Sequence, residues 1–194
     1  MATILVHGGT LIDGTGAPRR SADVLIRDGR IARVAAGLAT DRADRHIDAR
    51  GLVVAPGAID IHSHSDERMF LSPTLDSALH QGVTTVVCGN CGGAAAPVRG
   101  SAAAEQDREL ARYGIVRSWS SFGEYAAEVE RARPSINVCA FVGHGTLRMC
   151  VLGSAAREPS GAELDEMRSI LAGALDEGAI GMSTGLIYPP SAYA

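Results

Sequence analysis

The stretch GAIDIHSHSD, residues 57–66, decides the fold. A nearly continuous apolar run ends in two histidines one residue apart, with Asp60 and Asp66 on either side. Such a run, without polar alternation, predicts a parallel strand buried on both faces. In a strand, residues i and i+2 share a face, so His62 and His64 would present their imidazoles side by side at its end. Two neutral imidazoles there suit zinc or another borderline divalent ion, and Asp60 or Asp66 could orient a ring from behind. HxH is also a short pattern with a purely structural reading, so the rest of the chain has to weigh in.

Downstream, the strand pattern recurs three times. VTTVVCGNCGG (83–93) is a second buried strand running into a glycine-rich turn, INVCAFVGHG (136–145) a third, and AIGMSTGLIY (179–188) a fourth. Helical segments separate them. PTLDSALHQG is a short helix closed by Gly82, and AAAEQDRELARYG and SFGEYAAEVERAR follow the second strand. Ser121 with Glu124 forms a capping box, and Pro134 stops that helix. GAELDEMRSILAGALDEG carries a second box, Ser160 with Glu163, and sets Leu164, Met167, Leu171, Ala174 and Leu175 on one face. Alternating strands and helices predict an α/β fold with a parallel sheet. The turn GNCGG is not GxGxxG, and no phosphate loop occurs. The reactive residues all fall at the C-terminal ends of the strands, where a (β/α)8 barrel carries its active site. A barrel needs eight such units and ~250 residues; residues 56–194 provide four.

Upstream, residues 1–55 read as a small antiparallel β-module that needs another surface to pack on. DVLIRDGRIARVA places Asp28-Gly29 between two β-rich arms, the signature of a type I′ hairpin.

Composition excludes several classes. Net charge is −4 with no basic block, which argues against nucleic acid. No run approaches the ~18 apolar residues of a membrane span, and MATILVHGGTLIDG lacks the basic region of a signal peptide. A cytoplasmic location is expected, with Cys88, Cys91, Cys139 and Cys150 as reduced thiols or a metal ligand rather than disulfides. All 18 basic residues are arginine, so no lysine nucleophile, Schiff base or carbamylated lysine can come from this chain.

Cys91, beyond the second strand, could face the same cavity as the histidines. Cys88-Gly-Asn-Cys91 is formally CxxC, but a redox pair would open a helix, and here Cys88 falls inside the apolar strand. Metal ligation, redox chemistry and an inert thiol therefore stand as readings of Cys91; Cys139 and Cys150 read as core thiols. His144, between glycines at the third strand's end, could contact a ligand or substrate or only the backbone. Tyr188 could bind an anionic group or simply pack. His7, His46 and His80 read as structural.

Together, GLVVAPGAIDIHSHSD, QGVTTVVCGNCG, FVGHGTLR and GAIGMSTGLIYPPSAYA resemble the ordered signature blocks of the N-acyl-D-amino-acid deacylases, within the amidohydrolase superfamily. HxH alone marks the superfamily; GNCG with GHGTLR and STGLxY is more specific. The resemblance implies a metal-dependent (β/α)8 hydrolase beside a small β-sandwich, with one or two Zn2+ per site. It implies that His62 and His64 serve a second, weaker metal position, that Cys91 is a zinc ligand, and that Tyr188 helps hold the substrate carboxylate. The implied partner is a small N-acyl-D-amino acid, hydrolysed to a carboxylate and a free D-amino acid. The general base and remaining ligands are expected beyond Ala194, so the sequence reads as an N-terminal fragment that is inactive and poorly stable alone. Two other readings stay open: a cyclic-amide hydrolase of the hydantoinase or dihydroorotase kind, and a non-catalytic metal-binding relative.

Overall fold

The computed structural model describes residues 2–189 and 192. Two compact units emerge, residues 1–57 and 58–194. In the first, strands β1 (Thr3–His7), β4 (Asp23–Arg27), β5 (Arg30–Ala35) and β6 (Arg45–Asp48) form a sheet in the order β5-β4-β1-β6. Strands β2 (Thr10–Leu11), β3 (Arg20–Ser21) and β7 (Val53–Val54) form another, in the order β3-β2-β7.

The β4–β5 hairpin turns through Asp28 and Gly29 at φ 51° and 76°. Positive φ at both central residues is the type I′ requirement. The antiparallel expectation fails elsewhere: β1 pairs parallel to β6, and β2 to β7. A tight hairpin forces antiparallel neighbours, whereas the long excursions between these pairs let the chain return in the same direction. Alternation divides the apolar side chains. Leu5 and Leu25 pack with Leu38 on one face, while Val6, Val24 and Ile26 meet Leu11 and Val54 on the other. Buried Asp23 accepts the N–H groups of Gly8 and Leu38, each at 2.8 Å, and so ties two loops to β4.

The second unit contains β8 (Ala58–Asp60), β9 (Val83–Cys88), β10 (Asn137–Ala140), β11 (Val142–Gly143) and β12 (Met182–Ser183). Its helices are α1 (Arg68–Leu71), α2 (Asp76–Leu79), α3 (Gly100–Ala111), α4 (Phe122–Ala132), α5 (His144–Val151) and α6 (Gly161–Asp176). Strands β8, β9 and β10 pair parallel in chain order, as do β11 and β12. Only Phe141 separates β10 from β11, and its N–H still bonds Cys88 O at 3.0 Å. Neighbours thus follow chain order with helical crossovers between them, a singly wound α/β arrangement.

The core lies between sheet and helices. Val86, Cys88, Ala140 and Val142 meet Trp119, Phe122, Tyr125, Leu147, Met167 and Ala174. Phe70 stacks on Trp119, and Tyr125 meets both edge-on, with centroids 5.0–6.1 Å apart. Both capping boxes form as read, with Ser121 and Ser160 accepting from the N–H of Glu124 and Glu163.

Four expectations are corrected. Strand β8 is not buried on both faces: Ile59 is 61% and Ile61 73% exposed, because β8 pairs only with β9 among the described residues. The fourth strand shrinks to Met182–Ser183, since Gly181 at φ 154° precedes it and the turn at Leu186–Ile187 follows soon after. On α6, Met167, Leu171 and Ala174 face the core as read, but Leu164 and Leu175 lie outside the stripe, which includes Ile170 instead. His144 does not end a strand; it opens α5, a helix that the flanking glycines disguised.

Candidate metal centre

Every reactive segment named from the sequence lies at the C-terminal end of a parallel strand. His62 and His64 follow β8, Cys91 follows β9, His144 follows β11, and Tyr188 follows β12. Both histidines stand in the loop beyond Asp60 rather than within the strand, yet their rings remain neighbours, centroids 5.5 Å apart. His62 Nε2 lies 3.1 Å from Cys91 Sγ. One donor atom from each of His62, His64 and Cys91 falls within 4.8 Å of the others. Tetrahedral zinc with bonds of ~2.0–2.3 Å separates its donors by ~3.5 Å, so small rotamer changes would bring all three onto one ion. Two imidazoles and a thiolate are a donor set of the right softness.

The cysteine loop is held from several sides. Cys91 takes φ 57°, a left-handed conformation that costs an ordinary residue about 1–2 kcal/mol. Buried Asp66 accepts the Gly89 N–H at 2.8 Å. Asn90, also buried, donates to Val87 O at 2.7 Å and Ser63 O at 3.3 Å, joining the histidine loop to the cysteine loop. Ser183 Oγ bonds Gly89 O and accepts the Gly92 N–H at 3.0 Å. Thr146 N–H reaches Gly92 O at 3.1 Å, and Tyr125 donates to Asp66 O at 2.9 Å. Glycine is needed where backbones touch: a Cβ on Gly89 would stand 2.2 Å from Phe141 O.

Neither flanking aspartate orients an imidazole. Asp60 accepts the backbone N–H of His62 at 3.1 Å, and Asp66 serves Gly89. Burial pushes the carboxyls of Asp66 and Glu67 upward, with Asp66 adding to the effect on Glu67. The Cys88 thiol, fully buried in β9, is pushed up to about 12 by desolvation. A redox CxxC needs a stabilised thiolate, so burial removes Cys88 from that role. Cys139 and Cys150 are only half-buried, Cys150 against the core. His7 and His46 meet edge-on in the first unit, and His80 Nδ1 lies 2.8 Å from Asp76 O.

A cavity of about 830 Å3 opens beside the cluster, lined by His64, Cys91 and Tyr188 together with Asp66, Glu67 and Gln106. Ala94, Ala95, Val98, Ala102 and Met149 supply an apolar wall. His144 is absent from this lining; its Nδ1 stands 3.5 Å from Thr184 Oγ1. The end of the last signature block, residues 190, 191, 193 and 194, lies outside the described residues. Asn90, Tyr125, Thr146 and Ser183 were assigned no role from sequence. Asn90 and Ser183 at least lay inside the GNCG and STG motifs; nothing local marked Tyr125.

The amidohydrolase family profile matches residues 45–193. The chain belongs to this family. It is 45% identical over 193 residues to the N-acyl-D-glutamate deacylase of Alcaligenes xylosoxydans xylosoxydans, covering 98% of this chain and 38% of that protein. Among solved structures it resembles the N-acyl-D-glutamate deacylase of Bordetella bronchiseptica, complexed with zinc and a phosphonate mimic of the tetrahedral intermediate. That match has a TM-score of 0.87 and 43% identity, over 100% of this chain and 40% of that one. A D-aminoacylase with a binuclear metal centre matches at TM-score 0.85 and 40% identity, over 98% and 40%. The chain thus spans 38–40% of the length of these amidohydrolases. No helix among the described residues is long and apolar enough to cross a membrane.

Proposed function

We propose that this amidohydrolase chain supplies part of the active site of a zinc-dependent N-acyl-D-amino-acid deacylase built on a (β/α)8 barrel. In this reading His62, His64 and Cys91 are metal ligands, and Tyr188 meets the substrate carboxylate. The observation that carries it is the convergence of these three donors, within 4.8 Å, at the C-terminal ends of parallel strands beside the cavity that Tyr188 lines. The likeness to deacylases, one of them zinc-bound, supports the chemistry.

Bound there, zinc would polarise the amide carbonyl and lower the pKa of a water toward ~7. The chain's own residues do the rest of what can be assigned to it. Asp66 and Asn90 hold the loop of Cys91 beside the histidine loop, so the thiolate faces the imidazoles. Tyr188 hydroxyl donates a hydrogen bond to the α-carboxylate, and His144, off the cavity wall, is the less favoured contact. Ala94, Ala95, Val98 and Met149 give the acyl or side-chain portion a dry surface. Holding the carboxylate and the carbonyl while the apolar wall receives the side chain gives the three contacts needed to distinguish the D-configured carbon. The general base is assigned, on the likeness to the longer deacylases, to residues outside these 194, and hydrolysis to a protein that includes them.

Zinc content by mass spectrometry, on the chain and on Cys91→Ala, His62→Ala and His64→Ala, tests the site. Release of D-amino acids from N-acyl-D- against N-acyl-L-substrates and hydantoin, by the protein as its native host makes it, tests the reaction. Absence of bound zinc would favour the non-catalytic reading, and turnover of hydantoin alone the cyclic-amide one.

A further inference from the structure

We propose that Ser183 is a positioning residue for the metal site: its hydroxyl clamps both sides of the Cys91 turn and so fixes where the thiolate points. The inference rests on Cys91 being a ligand, as argued above, and extends it to a residue with no assigned role.

The geometry is specific. Ser183, in β12, reaches across more than ninety residues of sequence to the loop after β9. Its Oγ donates to Gly89 O, two residues before Cys91, and accepts from Gly92 N–H, one residue after it, at 3.0 Å. One hydroxyl thereby uses its donor and an acceptor lone pair on the two flanks of one turn. The other side chains bonding this loop each grip a single flank: Asp66 and Asn90 the side before Cys91, Thr146 the side after. The turn needs holding, because Cys91 sits at φ 57° without being glycine. Released, it would relax toward an ordinary conformation, and its side chain would swing with it. Zinc–sulfur bonds tolerate shifts of only ~0.2 Å, so a modest rotation removes the thiolate from the imidazoles. Groups that orient metal ligands without touching the ion typically change affinity by ~10–100-fold when removed.

The clamp also links two strands. The cysteine ligand comes from β9, but its orientation depends on β12 being docked beside β11, where Ser183 pairs with Gly143. Formation of the site would therefore follow docking of the fourth strand.

The test compares wild type with Ser183→Ala, Ser183→Thr and Ser183→Val in the protein as its native host makes it, the last two having one shape with and without a hydroxyl. Zinc affinity is measured by chelator competition, and thiolate coordination by the sulfur-to-metal charge-transfer band after cobalt substitution. Circular dichroism and thermal melts report the fold. The expected result is a ~10–100-fold loss of affinity and a weakened charge-transfer band in the alanine and valine variants, with threonine near wild type and all four folded. Equal affinity and equal bands across the set would overturn the inference while leaving Cys91 a ligand. Loss of folding in the hydroxyl-free variants alone would also overturn it, since the hydroxyl would then hold the fold rather than the ligand. Failure of the wild-type chain to show any thiolate band would instead refute the assignment of Cys91, and the clamp with it.

Discussion

Replacing Gly185 by alanine should disable the metal site while leaving most of the fold intact. The new methyl would stand 2.1 Å from Cys91 O, 2.7 Å from its carbonyl carbon and 3.1 Å from Tyr188 Cδ2. Ordinary contact between such atoms is about 3.5 Å, so the β12 loop and the Cys91 backbone must separate by roughly 1.4 Å. Gly185 does not take a left-handed φ, which leaves the clash as the main perturbation. Overpacking of this kind costs about 1–3 kcal/mol, which at ~2–4 °C per kcal/mol lowers Tm without abolishing folding. For the ligand set the same displacement is several times the ~0.2 Å that metal bonds tolerate. Zinc affinity should fall at least ~10-fold, or about 1.4 kcal/mol. Chelator competition measures the affinity, and a melt monitored by circular dichroism measures the stability. Gly161→Ala, where nothing lies within 4 Å of the added carbon, is the control expected to change neither by much. If Gly185→Ala bound zinc as wild type does, the contact would not be setting the position of Cys91, and the packing argument would be wrong.

Three further outcomes follow from the same structure. Gly173→Ala, in the interior of α6 with open space around the new methyl, should stabilise the chain by about 0.5–1 kcal/mol, read from denaturant midpoints. Ser121→Ala and Ser160→Ala each remove a capping box and should each cost about 1 kcal/mol, with no change in zinc affinity. Glu67 has its carboxyl raised, first by burial and then by the neighbouring Asp66 charge. A raised folded pKa means stability that is present below the unfolded value of about 4.3 and lost as pH rises through the folded one. Glu67→Gln should flatten that decline, and parallel slopes of stability against pH in the two proteins would refute the burial argument.

The alternation of strand and helix, the I′ hairpin at Asp28-Gly29 and the two capping boxes were legible because each depends on residues a few positions apart. So was the site's outline. An HxH pair at a strand's end and a cysteine beyond the next strand are local patterns, and the parallel fold brings such ends together. What sequence could not supply was contact between segments far apart in the chain. The parallel partners of β1 and β2, the exposure of Ile59 and Ile61, and the choice of Ile170 over Leu164 for the buried face of α6 all depend on which neighbour an element meets. His144 opening a helix was hidden because glycine flanks imply a turn when read alone. The support of Cys91 was the least visible part. Asp66, Asn90, Thr146 and Ser183 bond mostly to backbone atoms of one turn, and a backbone atom leaves no mark in a sequence. The ligand types were therefore written locally, while the orientation of the thiolate was decided only when four separate strand ends closed around it.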